Sequence, residues 1–161
     1  MQNPVGTHFP SGFHYNPVMS LEQYFSLATG LAMVGWFLLV FLPKLPTARI
    51  AAAVVIPLIL SAGYLALIAM HFQGADGGFG SLADVATLFG KPELLLAGWI
   101  HYLAFDLFIG AWEVRDAQRN EIPHLVVIPC LVMTFMLGPI GLLFYFAIRT
   151  AKTKRVQLEN A

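Results

Sequence analysis

Four long apolar stretches constrain what this chain can fold into. A helix needs about 20 apolar residues to cross the hydrocarbon core of a bilayer, and the sequence offers such stretches at roughly 21–42, 50–70, 94–114 and 125–148. None of them alternates apolar and polar residues as barrel strands do, and lipid cannot hydrogen-bond an open backbone. We therefore predict an all-α polytopic membrane protein with a bundle of four transmembrane helices.

Composition and charge support this class and exclude others. Hydrophobic residues make up 58% of the 161 residues and charged residues 11%, a balance outside the range of soluble domains. Nine basic and nine acidic residues leave no net charge, so nucleic acid is not an expected partner. The single cysteine, Cys130, excludes an internal disulfide and a zinc or iron–sulfur site built on several thiols.

Helix-breaking and charged residues mark the boundaries of one domain with a tail at each end. We expect an N-terminal tail over 1–20, a single transmembrane domain over 21–150 and a basic C-terminal tail over 151–161. The N-terminal tail has no Lys or Arg and no apolar core, so we expect neither a secretory signal nor a transit peptide in it. With four spans the basic residues divide five to four between the two faces, which favours neither orientation.

A short amphipathic helix is predicted between the second and third spans. Leu82, Val85 and Phe89 repeat at helical spacing, and Ser81 with Asp84 can cap the helix. We expect this helix to lie at the membrane interface. The alternative is a solvated loop.

Ionisable side chains interrupt the third apolar stretch. His101, Asp106 and Glu113 lie inside it and Asp116 at its end, although a charge at the bilayer centre costs at least about 2.5 kcal/mol. At about 100° per residue these side chains share one half of the helix. We expect the other, apolar half to face lipid, and the polar half to meet protein, water or a ligand. The alternative is that these polar groups only join helices by hydrogen bonds.

Two alternatives concern the end of this helix. Glu113 is near enough to the interface for its carboxylate to reach solvent. Asp116, Arg119 and Glu121 are expected in a solvated turn.

Small and polar residues of the fourth stretch form one stripe. Within an arc of about 80° by the helical count lie Thr134, Gly138, Gly141, Tyr145 and Arg149. We expect this arc to pack against the third helix, since small residues permit close approach and hydroxyl groups can hydrogen-bond across the contact. Pro129 and Pro139 should kink or break the helix.

Metal binding has weak support. His101, His124 and nearby carboxylates could together hold a metal, but no spacing resembles HExxH or another ligand motif. We therefore predict no metal and no cofactor.

A dense set of motifs runs from Gly98 to Arg149. In order these are H-Y-x-x-F-D-x-x-x-G-x-W from His101, D-A-Q-R from Asp116, I-P-H from Ile122, P-C from Pro129, T-F-x-x-G-P-x-G from Thr134, and Arg149. In them the chain resembles the abscisic-acid-deficient-four-like membrane proteins, the family that includes plant neoxanthin synthase. The motifs cover about a third of the chain, and the four-span layout fits most of it.

The resemblance implies a membrane protein of carotenoid metabolism, in which plant members are needed to turn the epoxide violaxanthin into the allene neoxanthin. Such an isomerisation is redox-neutral. It needs an acid for the epoxide oxygen and a base for the proton on the adjacent polyene carbon. Our catalytic candidates are His101 and Asp106, followed by Glu113 and His124.

Aromatic residues near these groups are the candidates for substrate binding. We expect an elongated apolar groove, suited to a polyene, lined by Trp99, Tyr102, Phe105 and Trp112. Thr134 and Tyr145 are further binding candidates. Supporting positions at the helix interface are assigned to Asp116, Arg119 and Arg149.

Other functions and substrates stay open. The protein is an isomerase in the first hypothesis, a non-catalytic carotenoid-binding or assembly factor in the second, and a small oligomeric transporter in the third. The expected partners are a carotenoid or another isoprenoid lipid and membrane lipids, and a homo-oligomer is compatible with each hypothesis. The compact chain looks bacterial, so we expect the inner (cytoplasmic) membrane and keep a substrate other than violaxanthin as an alternative.

Overall fold

The computed structural model describes residues 19–154, and within them every regular element is a helix. The elements are α1 (Leu21–Phe41), α2 (Pro46–Ile50), a π-helical segment (Ala51–Val55), α3 (Ile56–His71), α4 (Leu82–Phe89), α5 (Pro92–Arg119), α6 (His124–Leu137) and α7 (Pro139–Thr153). This confirms the all-α class. Most of both predicted tails lies outside the described residues.

Within residues 19–154, three helices are long and apolar enough to cross a membrane. They are Leu21–Phe41, Pro46–His71 and Pro92–Arg119. The second is one continuous helix that joins α2, the π-helical segment and α3. These three match the first three predicted spans.

The fourth predicted span is two shorter helices that meet at Gly138. The backbone of Gly138 has φ +50° and ψ −103°, a conformation that glycine adopts at little cost. Pro139 follows and begins α7, because its ring is tolerated in the first turn of a helix but not in its interior. The predicted break at Pro139 is confirmed, whereas α6 continues through Pro129.

Contacts with α5 show that α7 turns back along α6. Gly138 lies against Asp106, near the midpoint of α5. Tyr145 and Arg149, further along α7, both reach Asp116, in the last turn of α5 and so near the end of the bundle where α6 begins. A straight continuation of α6 would carry them toward the other end. The two helices therefore form a hairpin, α6–α7, with its tip at Gly138.

Close packing inside the hairpin depends on Gly141. A Cβ atom at this position would overlap the backbone nitrogen and the hydroxyl of Thr134. We expect Gly141→Ala to lower the free energy of unfolding by about 1–3 kcal/mol, because backbone atoms must move to admit the methyl group. Thermal denaturation of the purified protein measures this effect.

The matched control for this substitution is Gly63→Ala in α3. No atom lies within 4 Å of a Cβ built at Gly63, so the same change there should leave the melting temperature unchanged or raise it. Equal melting temperatures for the two variants would contradict the close contact at Gly141.

α5 is the central helix, and the prediction that its apolar half faces lipid is wrong. On that half Ile100, Leu103, Ala104, Leu107, Ala111 and Val114 are buried, and Phe108 is 48% exposed. The helices α1 and α5 approach closely there, because Gly35 contacts Leu107 and Gly110 contacts Trp36. An apolar helix face suits lipid and another helix equally well, so hydropathy could not distinguish the two.

The short helix predicted between the second and third spans is present as α4. The Ser81 hydroxyl accepts a hydrogen bond from the backbone N–H of Asp84 at 3.1 Å, as expected for an N-cap. Leu88 is buried, whereas Leu82 at the start of the helix is 87% exposed. Its location at the membrane interface stays a prediction.

Candidate functional site

An apolar groove of about 700 Å³ opens between the start of α1, the end of α4 and the start of α5. Its lining side chains include Leu21, Phe25, Phe89, Leu95, Trp99 and Tyr102. Among the described residues of the lining, Glu22 contributes the one charged side chain. We call this space the apolar groove.

Three aromatic rings form one wall of the apolar groove. The ring centroids of Phe25 and Trp99 are 5.5 Å apart, as are those of Trp99 and Tyr102. The Trp99 indole N–H donates to the Thr29 hydroxyl at 3.1 Å, which fixes the orientation of the ring. The wall leads from the groove toward the centre of α5.

Tyr102 connects the apolar groove to the tip of the hairpin. Its hydroxyl donates to the Phe135 carbonyl at 2.8 Å and lies next to the carboxyl of Asp106. Phe135 belongs to the last turn of α6, where carbonyl groups have no partner within the helix. In a membrane such groups must be satisfied by the protein itself. The Tyr102 hydroxyl supplies the hydrogen bond that the Phe135 carbonyl needs, and the Tyr102 ring lies beside Asp106.

Asp106 lies where the hairpin turns. A Cβ on Gly138 would be 3.3 Å from Asp106 Oδ1, so the carboxyl group is close to the N-terminus of α7, where a helix favours negative charge. The other oxygen, Oδ2, is buried and has no hydrogen-bond partner in the described part of the chain. A carboxyl oxygen that is free of protein partners can exchange a proton with a substrate.

Glu113 is fully buried, two turns beyond Asp106. The Thr134 hydroxyl donates to Glu113 Oε1 at 3.0 Å, while Oε2 has no partner among residues 19–154. The alternative in which this carboxylate reaches solvent is therefore wrong. The reason is that the hairpin covers this part of α5, which a single straight span would not have predicted.

Asp116 forms a buried ion pair. Arg149 Nε donates to Asp116 Oδ2 at 2.7 Å, and the Tyr145 hydroxyl donates to the same oxygen at 2.6 Å. The solvated turn expected for Asp116 is wrong, because α7 returns to this end of α5 and covers it. Arg119 and Glu121 are exposed, as predicted.

The polar arc of the fourth stretch packs against α5 as predicted. Thr134 and Tyr145 are fully buried and bind the carboxyl groups of Glu113 and Asp116. Neither lines the apolar groove. Their place as substrate-binding residues stays a prediction, since their described contacts hold the hairpin on α5.

The two histidine candidates lie apart from Asp106. His101 is exposed, and its ring centroid is 4.5 Å from that of Phe105 and 5.6 Å from that of Tyr64 in α3. His124 Nε2 is 2.9 Å from the Val40 carbonyl at the end of α1.

Only two of the four predicted groove aromatics line the apolar groove. These are Trp99 and Tyr102. Phe105 is 57% exposed, and Trp112 packs against Tyr145 and Phe146 of α7. The periodicity placed all four rings on one half of α5 but could not show how the neighbouring helices divide that half.

Comparison with known proteins gives the family. Residues 23–145 match the family model described as ABA DEFICIENT 4-like. The chain belongs to this family. No curated protein and no solved structure matches the chain. The family and the apolar helices together fit a membrane protein of carotenoid- or abscisic-acid-related biosynthesis.

One residue at the site of this ABA DEFICIENT 4-like chain was not predicted. Trp36 of α1 packs against Gly110 and meets the ring of Phe135 with centroids 5.6 Å apart. Its Nε1 atom is buried and has no hydrogen-bond partner within residues 19–154. The sequence of an apolar helix does not show which of its aromatic residues packs in this way.

The described part of the protein contains no cluster of potential metal ligands. Among residues 19–154, no three side chains of His, Cys, Asp or Glu come close enough together to hold a metal ion. The functional groups described at the site are carboxyl, hydroxyl and indole groups.

Proposed function

We propose that the protein is an intramembrane isomerase that opens the epoxide of a carotenoid, or of a related isoprenoid, to an allenic alcohol. The observation that carries the proposal is the continuity between the apolar groove and Asp106 through Tyr102. The groove offers an apolar, aromatic-lined surface to a polyene chain. Its inner wall ends at Tyr102, which lies beside the carboxyl group of Asp106. The Oδ2 atom of this group is buried and has no hydrogen-bond partner among residues 19–154.

The proposed reaction needs one proton delivered and one removed. Asp106 gives a proton to the epoxide oxygen while the carbon–oxygen bond breaks, which produces the hydroxyl group. A base removes the proton from the adjacent polyene carbon, and the electron pair of that C–H bond forms the new double bond of the allene. The formula of the substrate is unchanged, so the reaction consumes no oxidant or reductant.

A single carboxyl group can perform both proton transfers. After the first transfer Asp106 is a carboxylate, and one of its two oxygens can accept the second proton, which restores the starting state. The Tyr102 hydroxyl, whose proton goes to the Phe135 carbonyl, lies beside this carboxyl group. His101 and His124 receive no role in this proposal, because their described contacts lie toward α3 and α1.

Asp106→Asn is expected to abolish conversion of violaxanthin in a host that makes this pigment. The amide keeps the size of the side chain but cannot deliver the proton, so the rate should fall by about 10²-fold or more. Chromatography with mass detection measures the product as a compound of unchanged mass with shifted retention and absorption. Equal yields of folded protein exclude loss through misfolding.

The matched control is Asp76→Asn, which makes the same chemical change on an 88% exposed side chain. It should convert the pigment at the unaltered rate. Full conversion by Asp106→Asn would remove Asp106 from the mechanism. Unchanged pigment with folded, unaltered protein would refute the neoxanthin-type reaction and redirect the search to another carotenoid.

A second candidate function is favoured by the almost wholly apolar lining of the groove. Such a surface can hold a pigment without reacting with it, as a carotenoid-binding or assembly factor would. This candidate requires unchanged pigment to copurify with the protein and with Asp106→Asn alike. For both functions we propose the bacterial inner membrane as the location; the apolar helices support a membrane location.

A further inference from the structure

A second pocket, which the proposed function does not use, opens at the opposite end of the bundle. It has a volume of about 270 Å³ and lies between the end of α1, the π-helical segment and the last third of α5. Arg49 and Arg115 contribute its charged side chains, and Ile50, Ala53 and Val54 contribute much of its apolar lining. We call it the basic pocket.

The basic pocket brings together two guanidinium groups without a carboxylate. Arg49 is held in place, since it donates to the Gln118 side chain at 2.8 Å and Gln118 donates to the Pro43 carbonyl at 2.8 Å. Arg115 is exposed and has no ion pair among residues 19–154. The two positive charges in this pocket repel each other, and an anion bound between them would be attracted by both.

The apolar part of the basic pocket continues onto the outer surface of the bundle. Ile50 is 58% exposed and Val54 49% exposed, on a helix that is apolar enough to cross the membrane. The π-helical segment Ala51–Val55 forms this wall, and such segments are rare and often found at functional sites. A ligand here would meet guanidinium groups at one end and lipid-facing side chains at the other.

We propose that the basic pocket binds a membrane lipid whose phosphate headgroup carries a net negative charge. The phosphate group is held between Arg49 and Arg115, whose planar guanidinium groups match phosphate oxygens in pairs. One acyl chain follows the exposed side chains of Ile50 and Val54 along the helix. Charge complementarity favours this occupant over a neutral lipid, and the adjoining apolar surface favours it over free phosphate.

Native mass spectrometry of the purified protein tests the proposal. The protein is equilibrated with mixed micelles that contain phosphatidylglycerol or phosphatidylcholine, and the lipids retained per chain are counted. We expect retention of phosphatidylglycerol only, with a fall of about tenfold in Arg115→Gln. Because Arg115 is exposed, this substitution should leave the fold unchanged.

The matched control is Arg119→Gln, one turn further along α5 and outside the pocket lining. It should retain phosphatidylglycerol as the unaltered protein does. Equal retention of the two lipids, or equal retention by Arg115→Gln and Arg119→Gln, would overturn the proposal. Displacement of the lipid by millimolar inorganic phosphate would also overturn it, since that result would show a site for the free anion.

Discussion

Replacing Arg149 with methionine is expected to lower the free energy of unfolding by about 3–5 kcal/mol. The ion pair between Arg149 and Asp116 is buried, with side-chain exposures of 1% and 8%. Without the guanidinium group the Asp116 carboxylate stays buried and uncompensated, which costs far more than the pair contributes when intact. Denaturation of the purified protein by heat or by a denaturing detergent measures the loss.

Arg119→Met makes the same chemical change on an exposed side chain of α5 and should alter stability by less than about 0.5 kcal/mol. The double variant Asp116→Leu with Arg149→Met should recover most of the loss, because it leaves no unpaired charge. If Arg149→Met were as stable as Arg119→Met, the ion pair would not hold α7 on α5.

The start of α1 and the end of α7 are expected on opposite faces of the membrane. Three crossings followed by a hairpin that returns to its own side lead to this arrangement, whereas four crossings would put both ends on one face. The hairpin also changes the distribution of basic residues. Among residues 19–154, the face where α1 ends then carries seven basic residues, namely Lys44, Arg49, Arg115, Arg119, Arg149, Lys152 and Lys154, and the other face carries Lys91. By the positive-inside rule we expect the former face to be cytoplasmic.

Labelling of single cysteines in intact cells tests this topology. The background is Cys130→Ala, which removes a buried thiol. A membrane-impermeant maleimide should label Asp76→Cys in intact cells and Lys152→Cys only after permeabilisation. Thr47→Cys, in the first turn after the α1–α2 connection, should behave as Lys152→Cys does. Labelling of Lys152→Cys together with Asp76→Cys would instead indicate a fourth crossing.

Local sequence patterns predicted the elements that depend on local properties. The three long spans follow from apolar runs, α4 from helical spacing and a cap, and the break at Pro139 from the geometry of proline. The pairing of the arc around Thr134 and Tyr145 with the polar half of α5 was also predicted, because both faces carry polar residues in otherwise apolar stretches. These features need no knowledge of the tertiary arrangement.

The direction of α7 and the environment of Asp116 could not be predicted in the same way. The fourth stretch is long enough to span a membrane, and a proline permits either a kink or a reversal. What decides between them is the set of contacts made by Asp116, whose partners Tyr145 and Arg149 are 29 and 33 residues away in the sequence. The burial of Glu113 follows from the same reversal. The sequence did not indicate that Trp36 lies at the site, because its position is defined only by packing.

We expect the hairpin to be retained in the membrane differently from the three long helices. A spanning helix stays in place because both of its ends are in water, whereas the tip at Gly138 stops beside the midpoint of α5, about 20 Å from either end of that helix. The polar bonds from Thr134, Tyr145 and Arg149 to α5 therefore act as the anchor of the hairpin. It follows that α5 must be inserted before α6–α7 can dock, so the assembly of this half of the protein has a fixed order.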